Sequence, residues 1–309
     1  MSALQSALHA ATPVADRLAT VSWVLIAGAT LVFVLVMGLL VAALRSRRTA
    51  KASPRAWVLG GGIAFPALVL SALLGWVTWT GGPLSPEHPP GGLVVQVNAR
   101  NWWWEIRYVD ASGAPRVRLA NEIHLPAGRP ATLSLGSEDV IHSFWVPALA
   151  GKVDMLPGRV TQLRVQPRDL GTWRGQCAEF CGEQHARMAL HVVVQEAADF
   201  DAWLQGQGQP AQAPLAEPAK RGLRVFTAQR CDACHSVRGL TAESTFGPDL
   251  THVGSRLALG AGTLPNSEAA LRAWVAGVQQ HKPGARMPSF HTLDAEALDA
   301  LAHFLWQLK

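Results

Sequence analysis

Two stretches of this chain, Leu18 to Leu44 and Ala56 to Pro86, contain no charged residue. Each exceeds the ~20 residues an α-helix needs to cross about 30 Å of hydrocarbon, so both predict membrane-spanning helices, at about 18–44 and 56–80. In lipid each backbone N–H and C=O must be satisfied within protein. The run Gly60-Gly61-Gly62 and Pro66 therefore predict a place where other protein packs. Core helices of a soluble protein pass the same length test, but the residues between the runs favour a membrane: Arg45, Arg47, Arg48, Lys51 and Arg55, with no acid among them. Basic loops stay on the inner side, which puts both termini outside. The same cluster accounts for much of the net charge of +5, so nucleic acid is not an expected partner. A hydrophobic content of 49% against 16% charged residues fits a lipid-embedded part carrying exterior domains. No basic segment precedes the first run, and a cleavable signal is not evident.

From Gly91 to Glu196 the pattern changes to period-two alternation, as in Leu93-Val94-Val95-Gln96-Val97, punctuated by Pro126-Ala127-Gly128, Leu156-Pro157-Gly158 and Asp169-Leu170-Gly171. Short strands at this spacing predict a β-sandwich or barrel. Near its end stands Cys177-Ala178-Glu179-Phe180-Cys181, followed by His185 and Met188. Two thiolates, an imidazole and a thioether within twelve residues form a ligand set that suits copper better than calcium or magnesium. A further imidazole, His142, is one that a sandwich can return to the same place. A lone Met or His on a strand more often packs than binds; the spacing carries the signal here.

The spacing C-x-E-x-C-x-x-x-H-x-x-M with an upstream His resembles the copper-A loop of cytochrome c oxidase subunit II. The resemblance implies a cupredoxin-like domain in which Cys177 and Cys181 bridge two coppers. His185 and the backbone carbonyl of Glu179 complete one, and His142 and Met188 the other. Two bridging thiolates spread one unpaired electron over both metals, so little geometry changes when the electron leaves. The side chain of Glu179 is implied as a ligand of a magnesium shared with the catalytic subunit, a hard oxygen ligand for a hard ion. Asn101-Trp102-Trp103-Trp104-Glu105 matches the family's aromatic cluster. On a strand Trp102 and Trp104 share a face opposite Trp103, and Trp102 is implied as the point that receives electrons. The bland reading is that all three pack at the base of the domain.

Residues 205–219 are rich in Gln, Gly, Pro and Ala, a linker composition. After it comes Cys231-Asp232-Ala233-Cys234-His235. C-x-x-C-H attaches c-type haem, both thiols adding to the vinyl groups while the imidazole reaches the iron. Alone, the pentapeptide is equally a redox dithiol or half a zinc site. The chain after it contains one methionine, Met287, which resembles the sixth ligand of class I cytochromes c. His252, His281, His291 and His303 are the rival ligands. Gly247-Pro248-Asp249-Leu250 also resembles the class I loop, in which the carbonyl of Pro248 orients His235. By the same resemblance Trp274 lies beside the haem and Arg256 holds a propionate. Leu298, Leu301, Ala302 and Leu305 predict a closing-helix face packed on an opening helix, where Gly222 permits close approach.

The expected layout is residues 1–90 as an N-terminal segment with two membrane helices, 91–204 as a cupredoxin-like copper-A domain, 205–219 as a linker, and 220–309 as an all-α class I cytochrome c domain. It resembles subunit II of a caa3-type oxidase. That resemblance implies a proton-translocating cytochrome c oxidase in a bacterial inner (plasma) membrane, with both redox domains on the periplasmic side. The chain itself would hold no oxygen-reducing site. The implied partners are catalytic subunit I, subunit III, lipid, and a cytochrome c-type or other small donor. A flexible linker would make the haem-to-copper encounter intramolecular, at about millimolar effective concentration. Two departures stand out. Ser53-Pro54-Arg55 occupies a place where many relatives carry an acid, and Arg107 stands where acids often attract a basic cytochrome. A tethered copper chaperone or thiol-disulfide protein is the rival from another class, but residues 91–196 lack a βαβ pattern. A structural zinc site is a third reading.

Overall fold

The computed structural model describes residues 5–45, 53–80, 92–110 and 112–309. Arg47, Arg48 and Lys51, and the segment that joins the second apolar helix to the exterior domain, lie outside the described residues. The apolar runs are helices Pro13–Arg45 and Pro54–Trp79, and none of the most apolar stretch of either is buried within the protein. Side chains such as Leu31, Phe33, Leu44 and Trp79 face outward, an arrangement that water penalises and lipid does not.

The first helix starts before the uncharged run because its first turn is fixed to the exterior domain. Thr12 Oγ1 accepts from the Ala15 amide at 3.0 Å, capping the helix, and donates to the Leu149 carbonyl at 2.5 Å. Arg168 reaches Asp16 at 2.7 Å. Within the second helix, Trp57–Ala64 is a π-helical segment around the three glycines. Among the described residues, and apart from the helix's own backbone, nothing lies within 4 Å of where a Cβ would sit at Gly60, Gly61 or Gly62. The surface that the glycines clear is open for another chain.

The exterior domain is a sandwich of ten strands: β1 (Leu93–Arg100), β2 (Trp103–Val109), β3 (Pro115–Ala120), β4 (Glu122–Pro126), β5 (Ala131–Ser137), β6 (His142–Trp145), β7 (Val153–Met155), β8 (Thr161–Val165), β9 (Gly171–Cys177) and β10 (Ala189–Gln195). One sheet has the order β3-β2-β1-β5-β8, the other β4-β10-β9-β6-β7. Alternation places Val95, Val97, Ile106, Leu133 and Leu135 inward. Trp104 is fully buried and meets Phe144 edge-on at 5.8 Å.

Residues 205–219 are not linker throughout. A helix, Ala197–Gly208, continues past the expected end of the sandwich domain, and the next, Glu217–Ala228, begins before Lys220. Phe200 and Trp203 hold the first of these to Tyr108, and that apolar anchorage outweighs the helix-weak glycines at 206 and 208. The non-helical part, 209–216, is short and bound at its start: the Ala211 amide donates to the Arg238 carbonyl at 2.8 Å, and His252 Nε2 lies 3.1 Å from the Gln209 carbonyl.

The final domain is helical. Its opening helix Glu217–Ala228 crosses the closing helix Ala295–Gln307, with Phe226 against Phe304. A Cβ at Gly222 would lie 2.1 Å from the Ala300 carbonyl oxygen, so only glycine allows this crossing. Leu298, Leu301, Ala302 and Leu305 are buried beneath it.

Candidate metal and haem centres

The first centre sits where β6 and β9 end side by side. Phe144 pairs with Cys177, and the Ala178 amide donates to the Ser143 carbonyl at 2.9 Å, which brings His142 from 35 residues away to the loop. Cys177 Sγ lies 3.8 Å from His142 Nδ1, 3.8 Å from Cys181 Sγ and 3.1 Å from the Glu179 carbonyl oxygen. Cys181 Sγ lies 3.7 Å from His185 Nδ1 and 3.9 Å from Met188 Sδ. The ligand atoms of His142, Cys177 and Cys181 are all within 4.8 Å of one another and buried. A disulfide needs about 2.05 Å between sulfurs, so the cysteines are free thiols. Two imidazoles, a thioether and a carbonyl oxygen around a pair of thiol sulfurs suit copper.

The electrostatics favour thiolate at Cys177. The hydrogen bond from Cys181 pulls the Cys177 thiol well below its usual range, against burial and with help from His142. The same bond, with burial, pushes Cys181 up. Burial disfavours charge on His142, but its bonds to Cys177 and Asp139 outweigh that and raise it. His142 Nε2 lies 2.8 Å from Asp139 Oδ1, which leaves Nδ1 directed at the sulfurs. The sequence reading gave Asp139 no role; its position three residues before a candidate ligand was the available signal.

Trp102 is not on a strand with Trp104. β2 begins at Trp103, and the turn at Asn101 and Trp102 frees the Trp102 ring from the alternation. Its indole Nε1 donates to the Cys181 carbonyl at 2.8 Å. The ring lies over Gly182 (φ +107°), where a Cβ would meet it at 3.2 Å. The cytochrome-like domain approaches one edge of this half-buried ring: a Cβ at Gly284 would lie 3.5 Å from it. The Glu179 carboxylate is half-exposed, with Lys152 Nζ 3.9 Å away.

In the second centre, His235 Nδ1 lies 2.8 Å from the Pro248 carbonyl, so Nε2 is left for a metal. Burial pushes His235 down, keeping the imidazole neutral. A Cβ at Gly247 would fall 2.7 Å from the His235 ring, which explains the glycine before Pro248. Cys231 and Cys234 are free, the latter exposed, and burial pushes the Cys231 thiol up to about 11. Met287 packs at the edge of the domain core. Two free thiols, a neutral imidazole with one nitrogen available and a thioether suit a covalent haem. Arg256 Nη2 donates to the Asp249 carbonyl, while its buried Nε has no partner, a donor to spare for a carboxylate. Trp274 stacks on His281, centroids 6.4 Å apart, and lies over Gly260. Of the rival histidines, His252 faces Gln209, and His303 lies 3.0 Å from Glu268.

Residues 111–197 match the family described as cytochrome c oxidase subunit II, periplasmic domain, and residues 219–309 the family described as cytochrome c. A cytochrome c oxidase subunit 2 of Alkalihalophilus pseudofirmus is 32% identical over 224 residues, covering 72% of this chain and 64% of the relative. One from Bacillus sp. (strain PS3) is 31% identical, covering 70% and 62%. The chain thus spans just under two thirds of the length of these curated relatives. A crystal structure of the periplasmic domain of subunit II of cytochrome oxidase from Bradyrhizobium japonicum is 26% identical with a TM-score of 0.36, over 38% of this chain and 95% of that one. With the two families matched in tandem behind a pair of apolar helices, the chain belongs to the cytochrome c oxidase subunit II family, in the form that continues into a cytochrome c domain.

Proposed function

We propose that this chain is the electron-input subunit of a haem-copper respiratory oxidase. The observation that carries this reading is the convergence of His142, Cys177, the Glu179 carbonyl, Cys181, His185 and Met188 within 3.1–3.9 Å steps around two free thiols. Bound here and at Cys231, Cys234, His235 and Met287, a binuclear copper-A centre and a covalent haem c would supply a one-electron relay from a cytochrome c-type or other small donor to the catalytic subunit that reduces oxygen.

The chain's own residues hold and orient those groups. Asp139 fixes the His142 tautomer, the Pro248 carbonyl fixes that of His235, and the spare Nε of Arg256 would serve a haem propionate. Trp102, bonded to the Cys181 carbonyl and with Gly284 of the cytochrome domain against one edge of its half-buried ring, links the two domains, and the external donor delivers to the cytochrome domain. Arg107, 2.9 Å from the buried Glu105, adds no acidic attraction at that surface. The half-exposed Glu179 carboxylate would be this chain's ligand for a magnesium shared with the catalytic subunit.

The two apolar helices anchor the chain in a bacterial inner (plasma) membrane beside subunit I, with subunit III in the same complex and both redox domains outside. The cleared surface at Gly60–Gly62 seats a helix of that complex. A visible and near-infrared spectrum with metal analysis of the purified complex tests the assignment. Three coppers per haem c, two held by this chain and one by the haem-copper site of the catalytic subunit, a near-infrared copper band and a covalent-haem product are expected. Zinc in place of copper, or no covalent haem, would refute it.

A further inference from the structure

The side chain of Lys282 is almost fully buried, yet it has no carboxylate partner. It donates to three backbone carbonyls: Trp102 at 2.6 Å and Arg187 at 2.8 Å in the copper domain, and Gly260 at 3.0 Å in its own. Three protons meet three acceptors, so the ammonium is satisfied although burial pushes it down to about 7. Lys282 opens the loop that leads to Met287. Its two acceptors across the interface bracket the copper loop, Arg187 standing next to Met188 and Trp102 bonded to the Cys181 carbonyl. The contact is reciprocal, because Arg187 Nη1 donates to the His281 carbonyl at 2.6 Å.

Around this point the remaining bonds follow one pattern. Arg100 and Arg118 donate to the carbonyls of Thr245 and Ser244 at 3.2 and 3.3 Å. The Ala189 amide donates to the Ala261 carbonyl at 3.0 Å, and the Leu257 amide to Glu122 Oε2 at 2.8 Å. Among the described residues, no ion pair joins 217–309 to 92–208. A diffusing donor is steered by opposed charges and released by salt. A seat made mainly of cations on carbonyls and of amides, with the Glu122 carboxylate accepting from the Leu257 amide and acting on Arg256 only at longer range, offers little such lever.

We propose that Lys282 is the positioning residue of haem-to-copper transfer, holding the Met287 loop against Trp102 and the copper loop so that the cytochrome domain acts from a fixed seat and not as a mobile tether. The assignment rests on the relay proposed above and adds how its two domains are held together.

The test uses the full oxidase complex with Lys282→Met, and with Arg187→Met as a second variant in an exposed side chain. Haem and copper spectra at normal intensity establish that each is assembled. After photoreduction of haem c, electron transfer to copper should slow by about tenfold in Lys282→Met, the lower end for loss of one charged hydrogen-bonding group. Arg187→Met should show a smaller slowing. Exchange of the Ala189 and Leu257 amides should quicken by a similar factor in Lys282→Met. In the unmodified complex the transfer rate should hold from roughly 0.01 M to 1 M salt, across which the Debye length falls from about 30 Å to about 3 Å. Normal transfer in Lys282→Met overturns the positioning role, whatever the amides do. A rate that collapses with salt in the unmodified complex overturns the fixed seat. Copper reduced ahead of haem c by the donor overturns the relay itself, a result read without any variant.

Discussion

Replacing Asp139 by alanine should weaken copper binding without touching a ligand. The carboxylate receives three bonds, from His142 Nε2 and the Val140 amide at 2.8 Å on one oxygen and from the Asn101 amide at 2.7 Å on the other. Burial pushes this carboxyl up, but those three donors outweigh it and hold the group below the ordinary carboxylate range. Its loss leaves His142, which is fully buried, with an unpartnered Nε2 and a free choice of tautomer. It also releases the turn that sets Trp102. Partners of metal-bound histidines are worth about 10–100-fold in affinity. The side chain of Asp139 is 18% exposed, so water replaces part of the loss and about tenfold is expected, or roughly 1.4 kcal/mol. Asp139→Asn keeps an acceptor and should lose less. The assay is chelator competition for copper in the assembled complex, followed in the near-infrared band. An Asp139→Ala protein that holds copper within about twofold of normal would refute the reasoning, since the outer partner would then contribute nothing.

Other substitutions separate the roles of neighbouring groups. Met188→Leu should retain both coppers and shift the near-infrared band, because a thioether at this position tunes the centre more than it holds it; metal analysis showing complete loss would contradict that. Cys181→Ser should lose the binuclear centre, and near-normal copper content would sink the bridging assignment. Gly222→Ala should lower the unfolding temperature of the cytochrome domain, since its Cβ meets the Ala300 carbonyl and overpacking costs about 1–3 kcal/mol; an unchanged transition would show that the helices separate freely. Burial raises the Glu122 carboxyl, but bonds from His124 and the Leu257 amide outweigh it, so the group is depressed overall. Its contribution to domain docking is then complete above the unfolded pKa of about 4.3 and is lost as pH falls through the depressed value. Leu257 amide protection should fall in acid, and in Glu122→Gln it should not depend on pH in that range.

The parts of this account that were legible in the sequence are those written locally. Membrane helices follow from uncharged length alone, and Cys177 to Met188 carry their spacing within one loop. His142 needed the strand pairing of β6 with β9, yet a sandwich prediction sufficed to name it. The orienting role of Pro248 came from a resemblance and matches the 2.8 Å bond to His235. What depended on surfaces meeting was not legible. Polar, glycine-rich residues 205–208 read as linker because nothing in their composition reports the anchorage of Phe200 and Trp203 on Tyr108. Trp102 read as a strand residue because alternation gives no sign of where a turn ends. Lys282, beside a proline and a glycine in the stretch before Met287, carries no local sign of its place; only the docked domain shows that it is buried among carbonyls.

The central claim is that electrons reach the copper loop by way of the cytochrome domain. Stopped-flow reduction of the oxidised complex by its donor, with the haem c band and the near-infrared copper band recorded together, tests it most directly. The account predicts that haem c is reduced first and that the copper band bleaches only as electrons leave haem c. Bleaching of the copper band while haem c remains oxidised would contradict it.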